Sequence, residues 1–201
     1  MLQADDPRAL ARALQVLQAG GLVAFPTDTV YGLGALAFNG HAVEALYAAK
    51  DRPVEKAIPV LIADSTDLRK IAAAIPGMAD RLAARFWPGP LTLVVPKHPG
   101  LPEAVSDKPT VGVRVPDHPV ALALLRAAGP MAVTSANLSG LPGPGTAQEV
   151  LAQIGPRIAL ILDGGRTPRG VASTVVDCTA SEPVILREGP LALKDLLEAL
   201  R

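Results

Sequence analysis

The chain has 201 residues, 19 Lys plus Arg against 19 Asp plus Glu, and 49% hydrophobic side chains. This length suits one domain spanning residues 1–201, and the apolar fraction supplies a core and excludes a disordered polymer. A net charge of +0 excludes a protein that holds nucleic acid through an overall basic surface, though not one with a local basic groove.

The single cysteine, Cys178, rules out an internal disulfide and a zinc site of several cysteines. No apolar run reaches the roughly 18 residues of a membrane span. The first residues lack a basic stretch followed by an apolar one, so a reducing, cytoplasmic setting is expected.

In chain order, residues 7–18 read as a helix, with Asp5 or Asp6 as its cap, Pro7 in the first turn and Gly20-Gly21 at its end. Leu10, Leu14 and Leu17 mark its expected buried face. A strand at 22–25 stops at Pro26 and runs into a polar loop, Thr27-Asp28-Thr29. A helix follows at 42–50, a strand at 58–62, and helical stretches at 65–74 and 78–86. Trp87-Pro88-Gly89-Pro90 is a rigid turn before strands at 91–95 and 111–115, the second carrying Arg114. Then come a helix at 119–128, a short strand at 131–133, a helix at 146–153, strands at 158–162, 174–176 and 184–186, and a helix at 191–200. Interleaved helices and strands predict an α/β (α+β) domain, with helices flanking a mixed parallel and antiparallel sheet. Ligand loops in such sheets sit at strand ends.

Several site types are missing. There is no P-loop, and Gly32-Leu33-Gly34 fails as a dinucleotide fingerprint because Ala37 stands where the third glycine belongs. His41, His98 and His118 have no metal-ligand spacing, and no G-x-S-x-G elbow occurs. Cys178 reads as a packed thiol. Few aromatics, 3% of the chain, leave little to stack single-stranded bases.

Four polar segments remain. Thr27-Asp28-Thr29 offers hydroxyls between apolar runs. Lys50-Asp51-Arg52-Pro53, with Lys56, is a compact cationic cluster at a helix end, where charged side chains are expected to be solvated. Thr134-Ser135-Ala136-Asn137-Leu138-Ser139-Gly140 is a loop of small polar residues before a Pro/Gly-rich stretch. The segment 163–174, with Arg166, Arg169 and Ser173, is glycine-rich and suited to anions. Any of the four could equally be a turn or a solvated surface. Together they suit a polyanion bound beside a small polar molecule, without a covalent nucleophile.

Six segments in order carry a resemblance: Phe25-Pro26-Thr27-Asp28-Thr29-Val30-Tyr31-Gly32-Leu33, Lys50-Asp51-Arg52-Pro53, Val113-Arg114-Val115-Pro116, the Thr134–Gly140 loop, Ser173-Thr174-Val175-Val176-Asp177, and Leu186-Arg187-Glu188-Gly189. The chain resembles the YrdC-like family, the threonylcarbamoyl-AMP synthases of tRNA modification, in its short single-domain form. The resemblance implies a twisted sheet with a concave ligand groove. It also implies a nucleotidyltransferase that joins L-threonine, bicarbonate and ATP, with Mg2+, into threonylcarbamoyl-AMP and pyrophosphate. A downstream tRNA threonylcarbamoyl-transferase complex would consume the product.

Carried over by motif, Thr29, Arg114 and Ser135 would hold threonine. Lys50, Arg52 and Lys56 would face the triphosphate, with Lys50 and Arg52 as the catalytic pair. Thr110, Gly143, Ser173 and Arg187 would hold the rest of the nucleotide, and Asn137 would order the site. No metal ligands are implied. Leu61 stands where many relatives have a threonine-contacting histidine, and Gly143 where many have serine. Two other readings share these features. One is a double-stranded RNA or tRNA binder without chemistry, and weak RNA contact is compatible with the synthase too. The other is the similar module of the much longer hydrogenase-maturation carbamoyltransferases.

Overall fold

The computed structural model describes residues 1–168 and 170–201. Its strands are β1 (Leu2–Gln3), β2 (Val23–Phe25), β3 (Gly32–Leu36), β4 (Val60–Leu61), β5 (Leu91–Pro96), β6 (Thr110–Arg114), β7 (Met131–Ser135), β8 (Leu160–Asp163), β9 (Thr174–Asp177) and β10 (Val184–Arg187). Its helices are α1 (Ala9–Gln18), α2 (Gly40–Lys50), α3 (Leu68–Ile71), α4 (Gly77–Phe86), α5 (Pro119–Ala128), α6 (Ala147–Ile154) and α7 (Leu193–Ala199). The strands form one mixed sheet in the order β1-β8-β2-β3-β7-β4-β6-β5-β9-β10. Four neighbouring pairs are parallel (β1/β8, β8/β2, β4/β6 and β5/β9) and the rest antiparallel.

Local chemistry explains the starts of α2, α5 and α6. The Asn39 side chain accepts the Ala42 N–H at 3.1 Å and starts α2 two residues before the expected position. Thr146 caps α6 by accepting the Glu149 N–H. Pro119 opens α5, whose cap is His118.

The expected cap of α1 is different. The Asp6 carboxylate accepts the Arg8 N–H at 2.8 Å in a turn ahead of the helix, and the helix itself has no side-chain cap. Its buried stripe is Ala9, Ala13, Val16 and Leu17, while Leu10 is exposed. Small residues face the sheet because α1 packs tightly against both β2 and α5. The helix expected at 65–74 is a 3-10 turn, Ser65–Asp67, followed by the single turn of α3; Ala72 is already extended and bridges to Lys97.

The strand β3 has no counterpart in the sequence reading, because two glycines lower its strand signal. Tertiary packing requires them. A Cβ on Gly32 would lie 2.8 Å from Val133 Cγ1, and one on Gly34 2.7 Å from Met131 Cε.

Two apolar layers enclose the sheet. Residues of α2, α3, α4, α6 and α7 pack one face, including Leu46, Ile71, Leu82, Val150 and Leu196. On the other face α1 and α5 cover β2, β7 and β8 through Leu17, Leu124, Phe25, Met131 and Leu162. Along β5 and β6, Leu91, Leu93, Val95, Val111 and Val113 belong to the first layer. Strand alternation therefore turns Thr92, Val94, Gly112 and Arg114 to the second face, where α1 and α5 do not reach.

Candidate active site

That uncovered part of the sheet is the floor of a cleft of about 300 Å³. Gly32, Val133, Leu61, Gly112, Thr92, Val94 and Val175 line it, together with Thr29, Arg114, Ser135, Arg52, Ser173 and Arg187. Four of the polar segments singled out in the sequence, far apart along the chain, thus meet around one hollow.

Arg114 is only 6% exposed, at the end of β6. Its guanidinium donates to the carbonyl of Gly89 through Nε at 2.9 Å, to Thr29 Oγ1 at 3.1 Å and to the carboxylate of Asp28. A buried cation needs such a partner. Asp28, itself 3% exposed, also accepts the Asp117 N–H, and its Oδ2 has no partner among the described residues. The turn containing the cis Trp87–Pro88 bond presents the Gly89 carbonyl. Glycine is required there, since a Cβ would fall 2.4 Å from the Phe86 carbonyl oxygen. Thr29 is fixed by Thr27, whose hydroxyl lies 2.9 Å from Thr29 Oγ1 and donates to the Val30 carbonyl at 2.7 Å.

A second group is formed by Arg52, Ser173 and Arg187. Arg52 is held by the carbonyls of Lys56 and Ala57 at 3.1 and 3.0 Å. Arg187 donates to the Ser173 carbonyl at 2.8 and 3.0 Å and to its hydroxyl at 3.0 Å, and that hydroxyl lies 2.8 Å from Thr92 Oγ1. Among the described residues neither arginine forms an ion pair with a carboxylate. Burial lowers the pKa of Arg52; burial and then the Arg52 charge lower that of Arg187. Two neighbouring guanidiniums without a countercharge in one cleft make a site for a polyanion.

The remaining candidates are placed differently. Lys50 is buried, at 1% exposure, and its ammonium donates to the carbonyls of Ser135 and Asn137. It is not the solvated helix-end charge that the sequence implied, because its long side chain runs inward under the 135–139 loop. Lys56 is exposed beside the cleft and offers its carbonyl to Arg52. Thr110 continues the Gly112–Arg114 row of β6 beyond the cleft lining. Asn137 is buried and donates through its amide to the Leu138 and Leu141 carbonyls, both at 2.7 Å. Gly143 sits against Val30, where a Cβ would be 3.2 Å from Val30 Cγ1. Leu61 is part of the floor, level with Arg114 in the parallel β4/β6 register. Arg169 lies outside the described residues.

Sequence reasoning gave no role to Asp28, Gly89, Thr92 or Thr134. Of these, Asp28 and Thr134 carried a signal, as polar residues inside motifs; Gly89 and Thr92 depend on which strand ends up beside which. Tyr31 is also newly placed. Its buried phenol donates to the Gly165 carbonyl at 2.7 Å and accepts the Gly164 N–H, tying the glycine-rich loop down. Burial pushes its pKa up to about 12.

A model of the Sua5/YciO/YrdC family, described as telomere recombination, matches residues 15–189. The chain belongs to this family. Among relatives, the threonylcarbamoyl-AMP synthase of Bacillus subtilis is 46% identical over 202 residues, which cover 99% of this chain and 58% of that protein. The putative threonylcarbamoyl-AMP synthase of Mycobacterium tuberculosis is 42% identical over 194 residues, covering 96% of this chain and 89% of that one. The chain therefore spans little more than half of the first relative and most of the second. The crystal structure of Pyrococcus abyssi Sua5 complexed with L-threonine matches with a TM-score of 0.93 and 43% identity, over 96% of this chain and 57% of that one. The structural match extends over 96% of the chain, so the mixed sheet with its flanking helices is the Sua5-like fold.

Proposed function

We propose that the chain is an L-threonylcarbamoyladenylate synthase, a nucleotidyltransferase making threonylcarbamoyl-AMP from L-threonine, bicarbonate and ATP for tRNA modification. The observation that carries this reading is the pairing, in one cleft, of a preset Arg114–Thr29 group with the two arginines Arg52 and Arg187 that lack a countercharge. The first suits an amino acid carboxylate, the second a triphosphate. The synthase names of the relatives and the threonine in the Sua5 crystal support it.

Arg114 binds the threonine carboxylate, already aimed by Asp28 and the Gly89 carbonyl, with Thr29 and Ser135 beside it. The threonine amine takes up CO2, derived from bicarbonate, and loses a proton to form a carbamate. A carbamate oxygen attacks the α-phosphorus of ATP, the bond to the bridging oxygen breaks, and pyrophosphate leaves with its electron pair. Arg52 and Arg187, with Lys56 at the rim, stabilise the charge that builds on the leaving group. Ser173 lines the cleft on the side proposed for the nucleotide, while Thr110, Asn137 and Gly143 lie outside the lining and are assigned to the nucleotide by the motif resemblance alone. This chemistry is positioning and charge stabilisation and needs no protein nucleophile.

Among the described residues no three His, Cys, Asp or Glu gather into a metal site, and no carboxylate lines the cleft. Mg2+ would enter with ATP as MgATP, with no carboxylate ligand from the described residues of the cleft. The product passes to a tRNA threonylcarbamoyl-transferase complex, and the setting we propose is the cytoplasm. No helix is long and apolar enough to cross a membrane among the described residues.

Mass spectrometry of a mixture of protein, MgATP, bicarbonate and L-threonine tests the reading. Threonylcarbamoyl-AMP and pyrophosphate are expected, and pyrophosphate release that persists without threonine would overturn it. RNA binding that falls steeply with salt, with no ATP binding, would favour the RNA-binding alternative.

A further inference from the structure

Lys50 and Arg52 are two residues apart but serve different surfaces. Between them Asp51 adopts a left-handed conformation, φ 51°, at the end of α2. The turn sends Arg52 into the cleft and leaves Lys50 pointing into the protein. Lys50 is among the largest fully buried side chains, and among the described residues it has no carboxylate partner. Its ammonium instead gathers two backbone carbonyls, those of Ser135 and Asn137, and its own carbonyl accepts the Ser139 N–H at 2.8 Å. One residue thus holds the 135–139 loop at three points. The same loop is also tied by the Ala136 N–H to the Tyr31 carbonyl at 2.8 Å and by the Leu138 N–H to the Gln153 side chain at 3.2 Å, and Ser135, which ends β7 opposite Gly32, stands on the cleft wall.

We infer that Lys50 is a positioning residue: it does not touch phosphate but fixes the Ser135–Asn137 wall of the cleft from behind. The inference rests on the proposed threonine site for its functional consequence, though not for its structural one. Burial of an ammonium is unfavourable, and both burial and Arg52 push its pKa down, to about 8. The two carbonyls offset this, so the charge and the loop conformation depend on each other. Removing the ammonium leaves two carbonyls facing each other under the loop without a donor between them.

Reductive methylation of the native chain, read by mass spectrometry, tests the placement without any variant. Exposed Lys56 should be modified, and Lys50 should stay unmodified with or without pyrophosphate. A Lys50 that is modified in the free protein and protected by pyrophosphate would overturn the inference. Lys50→Met then tests the consequence. Amide hydrogen exchange over 135–141 should rise at least tenfold, and threonine affinity measured without nucleotide should fall at least tenfold. Pyrophosphate affinity should change less than threefold, whereas Arg52→Ala should lose it. The opposite pattern, lost pyrophosphate binding with unchanged exchange and threonine affinity, would make Lys50 a phosphate contact. If the unaltered chain binds no threonine, the proposed function fails, while methylation and exchange still report on the clamp.

Discussion

The Asp28–Arg114 pair offers the sharpest test of how the cleft is built. Both side chains are more than nine-tenths buried, at 3% and 6% exposure, so the pair is poorly screened by water. Asp28→Ala removes the carboxylate that the buried guanidinium donates to and keeps its bonds to the Gly89 carbonyl and the Thr29 hydroxyl. Breaking a buried pair from one side costs about 3–5 kcal/mol, because the remaining charge loses its closest countercharge in a poorly hydrated site. Domains of this size lose roughly 2–4 °C of melting temperature per kcal/mol, which gives a fall of about 6–20 °C. Arg114→Met should cost a comparable amount, since it leaves the buried Asp28 carboxylate without its guanidinium. The double variant should be clearly more stable than the sum of the two singles predicts, because neither charge then remains. Calorimetric melting of the four proteins at one pH and salt concentration measures this cycle. A melting point for Asp28→Ala within about 2 °C of the parent, well short of that range, would refute the argument. So would strict additivity in the double variant.

Other outcomes follow from single residues. Arg52→Ala should lower turnover about a hundredfold or more, the usual loss of about 2.7–4 kcal/mol for a transition-state charge contact, with little change in melting, as its own hydrogen bonds go only to nearby carbonyls; near-normal steady-state rates would remove it from the site. Lys50→Ala, which a solvated lysine would tolerate, should instead melt well below the parent in a thermal scan, because the residue is 1% exposed. Cys178 is buried and its pKa is raised from 9.0 to about 12, so it should resist a thiol reagent at pH 8 until denaturant is added. Because the folded state keeps this thiol protonated, its contribution to stability is complete below pH 9 and is lost as pH rises toward 12, which unfolding measured across that range would register. Gly34→Ala should cost about 1–3 kcal/mol by overpacking, since its Cβ would meet Met131 and Phe25 at 2.7 and 3.0 Å, and chemical denaturation would measure it.

Much of this molecule could be read along the chain. Most elements rest on local causes: Pro119 at the start of α5, Thr146 as the cap of α6, the apolar runs at 91–95 and 111–115, and the glycines after α1. The residues that surround the cleft were visible as polar and glycine-rich segments interrupting apolar runs, each of which could equally be a turn or a solvated surface; their assignment to one site came from the six ordered motifs of the resemblance. Thr29, Arg52, Arg114, Ser135, Ser173 and Arg187 do line one cavity. Other features had no local cause. β3 forms because it pairs with β2 and β7, and it needs Gly32 and Gly34 because those neighbours leave no room for a Cβ, a property of the neighbours and not of the segment. On α1, Leu17 of the expected face is buried, but Leu10 is exposed and Ala9 and Ala13 take its place because α5 and the sheet lie close.

Lys50 shows the limit most plainly. Charge and position in sequence place it with Arg52, but one left-handed residue at Asp51 separates their directions, and the carbonyls that receive Lys50 come from 85 and 87 positions further on. Sequence determines which residues can carry charge, cap a helix or fit a tight turn. Only the packed sheet decides which of them point into a shared space, because side-chain direction depends on neighbours brought together from across the chain.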